Sequence, residues 1–364
     1  GSHKGNAQLG HINPIHLLSL LAAIWRYPAQ MTSQALPQSP KYPVTHIWHA
    51  DWSMSAKGRW VAKAVRRETG WHIHAIDPVG MLHQFRQSLA SHGKTDALWL
   101  GLDMPIGFLD TWYDGANIKD FKSLLAVLGD DHWQDFFKVC ESPDEIRHTR
   151  PFYPQNSGAK GSVKRHHLIT ALGLPDFDAL HRRCERATNP KDAPSRNAAC
   201  PAFWTLGANQ VGKGMLHGLR HLIMPGYADG FNIWPFTGDL ETCSKSPGVT
   251  LIETYPGEIY GWLSNTSELT KSNQESRKNY LHKLRHDAST KGIEISPAVW
   301  ADIKDGFGPD HGKDDAFDAL IGVMGLIEIA EGRRPEHLPN APSVLEREGW
   351  IVGLNPDDLK PRRT

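Results

Sequence analysis

The segment Ala97-Leu98-Trp99-Leu100-Gly101-Leu102 runs apolar up to Asp103 and is followed at once by Met104-Pro105-Ile106-Gly107. A short apolar run bounded by Pro and Gly reads as a strand covered on both faces. An ionised Asp at the end of such a strand costs several kcal/mol unless it is paired, protonated or bound to a cation. The chain repeats this arrangement. Asp51 closes "HIWHAD", Glu253 closes "VTLIE", and Asp315 and Asp318 stand together in "KDDAFDAL". Acids at three strand ends reach one edge of a sheet, and the i, i+3 spacing of Asp315 and Asp318 puts both on one helix face. Singly, each has an ordinary use: Asp315 at a helix N-terminus, Asp51 capping a turn. Together they repel one another unless a cation neutralises them.

The surrounding pattern predicts an α/β fold. "THIWHADWSMSAKGRWVAKAVRR" (45–67) reads as two strands joined by a tight turn at Lys57-Gly58, and "WHIHAIDPVG" as a third strand. Met81, Leu82, Phe85 and Leu89 have helical spacing that stops at Gly93, and residues 97–103 supply the fourth strand. The strand rhythm returns over 248–263. A helix from Lys313 onward is apolar nearly all round after Asp318, which places it deep in the packing. The expected organisation is an N-terminal extension (1–40), an α/β core from 41–109 with 246–332, a mainly helical insertion (110–245), and a C-terminal tail (333–364). "EREGWIVG" reads as a small edge strand.

Forty basic and forty acidic residues cancel, so no global field announces a polyanionic partner. Cys140, Cys184, Cys200 and Cys243 are far apart with no C-x-x-C pair, which argues against a zinc ribbon or a disulfide framework and fits a reducing compartment. Gly1-Ser2-His3 reads as a cloning remnant and Met31 as the natural start. The apolar run at 15–25 is shorter than the roughly 20 residues a bilayer demands. The expectation is a cytoplasmic protein with no membrane partner.

Oxygen-only ligands favour Mg²⁺ or Mn²⁺. Two such ions about 3.5–4 Å apart are the device for in-line displacement at a phosphodiester. Asp51 is expected to bridge two ions, Asp103 and Asp318 to bind one each, and Glu253 and Asp315 to complete the shell, with Asp314 as a substitute for Asp315. Arg150, Lys160, Lys164 and Arg165, interleaved with Tyr153, suit a phosphate backbone and stacked bases of DNA or RNA. In "WTLGANQVGKG", Gln210 and Lys213 are candidates to face a phosphate, although Gly214 at the hydroxyl position excludes a P-loop. His217 and His221 lack the Glu of H-E-x-x-H and read as packing residues. His311 is a candidate for proton transfer, and Lys271 and Arg277 for substrate contact or a charged helix face.

Strand-turn-strand with an Asp on the first strand, an acid on the fourth and a late Asp-bearing helix resembles the ribonuclease H-like fold. Asp315-Ala316-Phe317-Asp318-Ala319-Leu320 is similar to the D-A-x-D-A-L of RuvC-type Holliday-junction resolvases, where both Asp residues are metal-site acids. "DMPIG", "RPFYP", "ACPAFWTLGANQVGKG", "WPFTG", "ETYPGE" and "DDAFDAL", spread over about residues 45–330, resemble a bacterial domain-of-unknown-function family, number four hundred and twenty-nine in its series, of predicted ribonuclease H-like nucleases. The resemblance implies a mixed sheet flanked by helices and a Mg²⁺- or Mn²⁺-dependent nuclease. Resolvases carry Glu where this chain has Asp103. The alternatives are a non-catalytic nucleic-acid-binding protein with a structural cation site, or an ATPase or kinase of the same fold. Bulky Trp52 and Met54 in Asp51-Trp52-Ser53-Met54-Ser55 disfavour the latter, because a phosphate-cradling hairpin needs close backbone approach.

Overall fold

Strand-forming residues alternate between two covered faces. In the computed structural model, which describes residues 1, 40–155, 161–191, 193–206, 211–264, 269–309 and 314–361, they build β1 (His46–Asp51), β2 (Trp60–Arg67), β3 (Gly70–Pro78), β4 (Ala97–Asp103), β5 (Asn232–Ile233), β6 (Gly248–Glu253) and β7 (Ile293–Ile295). The chain divides into two units, Gly1–Gln38 and Ser39–Thr364, and the sheet belongs wholly to the second. Its order is β5-β6-β4-β1-β2-β3-β7. The strands β1, β2 and β3 form an antiparallel meander, β4 lies parallel to β1, β6 to β4, β5 to β6, and β7 to β3. The fold is thus α/β with one mixed sheet.

Helices of eight residues or more are α1 (Leu82–Gly93), α2 (Gly161–Ala171), α3 (Val211–Gly218), α4 (Pro256–Ser264), α5 (Gln274–Thr290) and α6 (Asp314–Ala330). One sheet face, carrying Ile47, Trp99 and Ile252, packs on Ile259 of α4, Leu281 of α5 and Phe317 and Leu320 of α6. The other, carrying Trp48, Leu98 and Leu100, packs on Phe85 and Leu89 of α1 and on the aromatic cluster Trp112, Phe136, Phe152 and Phe203 of the inserted region. No helix among the described residues is long and apolar enough to cross a membrane.

Helix α6 crosses β1 and β2 and is buried at every position from Ala316 to Ala330. Asp314 and Asp315 in its first turn suit the positive end of the helix dipole. Two glycines let it sit flush on the sheet over a buried histidine. A Cβ at Gly322 would come within 2.2 Å of three His49 ring atoms, and one at Gly101 within 2.7 Å of the same ring. Gly322→Ala is therefore expected to cost about 1–3 kcal/mol through overpacking, read as a lower midpoint in chemical melts.

Four expectations need correction. Residues 256–263 form α4, not strand, because Pro256 fixes a helical φ at the start and β6 has already ended at Glu253. "EREGWIVG" contains no strand: a π-turn at Val344–Glu348 leads through Gly349 (φ +68°) into Trp350, Ile351 and Val352, all buried. Val352 N–H donates to the Glu253 carbonyl at 3.1 Å, so residues 344–354 close the end of β6 as part of the core, not as a tail. The inserted region likewise joins the sheet, through β5. The apolar run at 15–25 and Met31 lie outside the described residues.

Candidate metal centre

Register decides which acids meet. Asp51 pairs with Asp103 across the parallel β1–β4 ladder, so both side chains leave the same face at adjacent strand ends. Helix α6 lies on that face and delivers Asp318, with Asp315 one turn earlier. One carboxylate oxygen from each of Asp51, Asp103 and Asp318 lies within 4.8 Å of the others. Asp315 stands beside Asp51, and Asp51 beside Asp103, near enough for each pair to share a proton. Contact between carboxyl groups requires a proton or a cation between them.

The electrostatics agree. Burial pushes Asp103 up to about 6, opposed by Lys271 and the bond from Asp51. Burial and then the Asp314 charge push Asp315 up to about 6. Asp51 and Asp318 lie well above the usual carboxylate range, through burial first and neighbouring acids second. Asp318 is 3% exposed and has two further partners: the Tyr260 hydroxyl donates to Oδ1, and Lys271 Nζ stands 2.6 Å from Oδ2. Tyr260 carries no local signal, since the strand expected over its segment would not bring it to α6, whereas helix α4 does. Arg277 is a brace, not a substrate group. Buried at 2% exposure, it donates to the carbonyls of Gly306 and Gly308 at 2.8 Å and to that of Lys271, fixing the segment from which Lys271 reaches Asp318.

Glu253 does not join the group. It pairs with Leu102, one residue out of step with Asp103, and a one-residue offset sends a side chain to the opposite face. There Arg182 grips it with Nη2–Oε1 at 2.6 Å and Nη1–Oε2 at 2.8 Å, and Ile106 N–H donates to Oε2 at 2.6 Å. Burial pushes the Glu253 carboxyl up, and the two-pronged guanidinium opposes it and favours the ionised form. On the acid-bearing face stands the first residue after β6, Thr254, whose hydroxyl meets His49 Nε2 at 2.7 Å. Asp314 is not among the three converging acids.

Among the described residues of the basic stretch, most of the named groups are tied to their own neighbours. Arg150 binds Glu145 at 2.9 Å and the Val139 carbonyl at 3.1 Å, bracing its own loop. Tyr153 is buried, with its hydroxyl 2.9 Å from His167 Nδ1. Lys164 is 5% exposed, and the Arg165 guanidinium lies 4.4 Å from the Phe177 ring centre and 5.5 Å from that of Trp204. Arg150, Tyr153 and Lys164 are wholly or partly buried, whereas Arg165, its guanidinium laid against two rings, is exposed. Lys213 is half-buried on α3. Lys160, Gln210 and His311 lie outside the described residues. No protein-family model, curated protein or solved structure matches this chain.

Proposed function

We propose that this chain is a Mg²⁺- or Mn²⁺-dependent nuclease with a ribonuclease H-like core, hydrolysing phosphodiester bonds of DNA or RNA. One observation carries the reading. Asp51, Asp103 and Asp318, contributed by two strands and a distant helix, bring oxygens within 4.8 Å at one sheet edge although burial and mutual repulsion oppose it. An antiparallel meander followed by parallel strands, with acids ending β1 and β4 and opening the last helix, supports the same reading.

The donor set fits a hard divalent cation, being all oxygen and multiply anionic. Asp51, Asp103 and Asp318 would hold it, with Asp315 beside Asp51 available to a second ion. Bound there, such ions supply Lewis acidity and lower the pKa of water. The chain's own groups do the rest. Tyr260 and Lys271 orient Asp318, and the half-exposed Lys271 ammonium places positive charge where a phosphoryl group would arrive.

A pH test follows from the raised carboxyl values. Between about pH 4 and 6 the folded protein retains protons that the unfolded chain has released. Stability of the metal-free protein therefore falls as pH rises through that window, and a divalent ion restores it. Mg²⁺ or Mn²⁺ is expected to raise the melting midpoint more at pH 8 than at pH 5, measured by calorimetry. Titration calorimetry with both metals, paired with cleavage assays on single-stranded, duplex and branched DNA and RNA, tests the whole reading. Absence of metal binding overturns it, and metal and nucleic-acid binding without turnover replaces it with a binding protein.

A further inference from the structure

Directly beyond Asp51, on the opposite face of the sheet, three touching residues bury N–H groups that have no acceptor among the described residues. Trp52 is 6% exposed and Arg59 5%, and His217 of α3 is half-buried against both. The Arg59 Cζ lies 5.8 Å from the Trp52 ring centre, and the Trp52 and His217 rings are 5.9 Å apart. Arg59 Nη1 is held by the Ser53 and Met54 carbonyls, each at 3.0 Å, and by His217 Nε2 at 3.3 Å. Burial lowers His217 to about 4. The imidazole is then neutral, and because Nε2 accepts from Arg59, its proton sits on Nδ1. Arg59 Nε, Trp52 Nε1 and His217 Nδ1 are all buried and have no hydrogen-bond partner among the described residues.

All three orphans are donors. A buried donor left unmade is destabilising, and a buried cation without a counter-ion more so. Among the described residues no carboxylate forms an ion pair with Arg59, and no carboxylate offsets its burial. The missing partner is therefore rich in acceptors and negatively charged. With Nη1 committed to the turn, the guanidinium keeps its Nε–Nη2 edge, the edge that binds two oxygens of one oxyanion in parallel. Helix α3 is held close enough to complete the cluster by Gly218, where a Cβ would fall 2.1 Å from Met104 Sδ and 2.9 Å from Trp52 Nε1. Lys213, one turn earlier, shares the His217 face of that helix.

We infer that Arg59, Trp52 and His217 form a phosphate-binding subsite beside the carboxylate centre. Its assignment to a substrate phosphate, neighbouring the one to be cleaved, rests on the nuclease reading, whereas binding of phosphate itself does not. The test uses inorganic phosphate as probe, titrated by ³¹P NMR in EDTA so that no metal bridges it to the acids. Wild-type protein is expected to bind saturably. Arg59→Lys, which keeps the charge but loses the fork, should bind about tenfold more weakly, and Arg59→Gln not measurably. Trp52→Phe, which keeps an aromatic ring of smaller size and deletes the N–H donor, should weaken binding several-fold and decides the matter if the Arg59 variants do not fold. With oligonucleotides, Arg59→Gln should flatten the dependence of log affinity on log salt by about 0.7–0.9. Phosphate binding unchanged in folded Arg59→Lys or Trp52→Phe, or absent in the wild type, overturns the subsite. Phosphate binding through Arg59 without any nucleic-acid cleavage would keep the subsite and remove the nuclease.

Discussion

Asp51→Asn is expected to lower Mg²⁺- or Mn²⁺-dependent cleavage by a factor of about a thousand or more, because it removes the one carboxylate in contact with both Asp103 and Asp315. The same change should raise the melting midpoint of the metal-free protein by a few degrees. It deletes one of several mutually repelling acids and leaves an amide that can donate to its neighbours. The two effects have opposite signs, which separates a lost metal ligand from a damaged fold. Single-turnover cleavage, titration calorimetry and thermal melts on one preparation read both. Wild-type cleavage by the variant would take the carboxylate centre out of the chemistry. A large drop in stability would make Asp51 a structural residue instead.

The second large effect lies across the sheet. Arg182, 1% exposed, serves Glu253 and Glu185 at once and also donates to the carbonyls of Ile106 at 3.1 Å and Glu348 at 2.9 Å. Arg182→Met fills similar volume but strands two buried carboxylates, at a cost of about 3–5 kcal/mol. Urea denaturation measures it. Adding Glu253→Gln to that variant should recover part of the loss, since one of the stranded charges is then gone. A single variant as stable as the wild type would mean that Arg182 and its acids are not compensating one another. Because Ile106 is three residues past Asp103 and is gripped through both its N–H and its carbonyl, the variant should also loosen the loop leaving the metal centre.

Much of this was readable from residue order. The hairpin, β3, α1, β4 and the long last helix stand where alternation and helical spacing put them, since local pattern sets which residues can turn an apolar side inward. Asp51, Asp103 and Asp318 stood out as acids in segments too apolar to hold them unpaired, and the structure brings those three together. Glu253 carries the same local signature as Asp103. What separates them is one step of register between β4 and β6, which no single strand encodes. Arg150, Tyr153 and Lys164 turn inward while Arg165 stays exposed, a difference composition does not show, since a basic and aromatic stretch has the same composition whether it lines a groove or packs on itself. Tyr260, Arg182 and Arg59 carried no local signal at all, because their partners come from other elements.

Order along the chain thus determined the hairpin, β3, α1, β4, β6 and α6, though not α4 or the turn at 344–348, and that acids would end buried strands, because periodicity and the cost of burying charge act within a few residues. The tertiary structure alone decided which acids share a face and which cations answer them. Those outcomes depend on strand register and on contacts between residues far apart in sequence, where a shift of one position reverses the direction of a side chain.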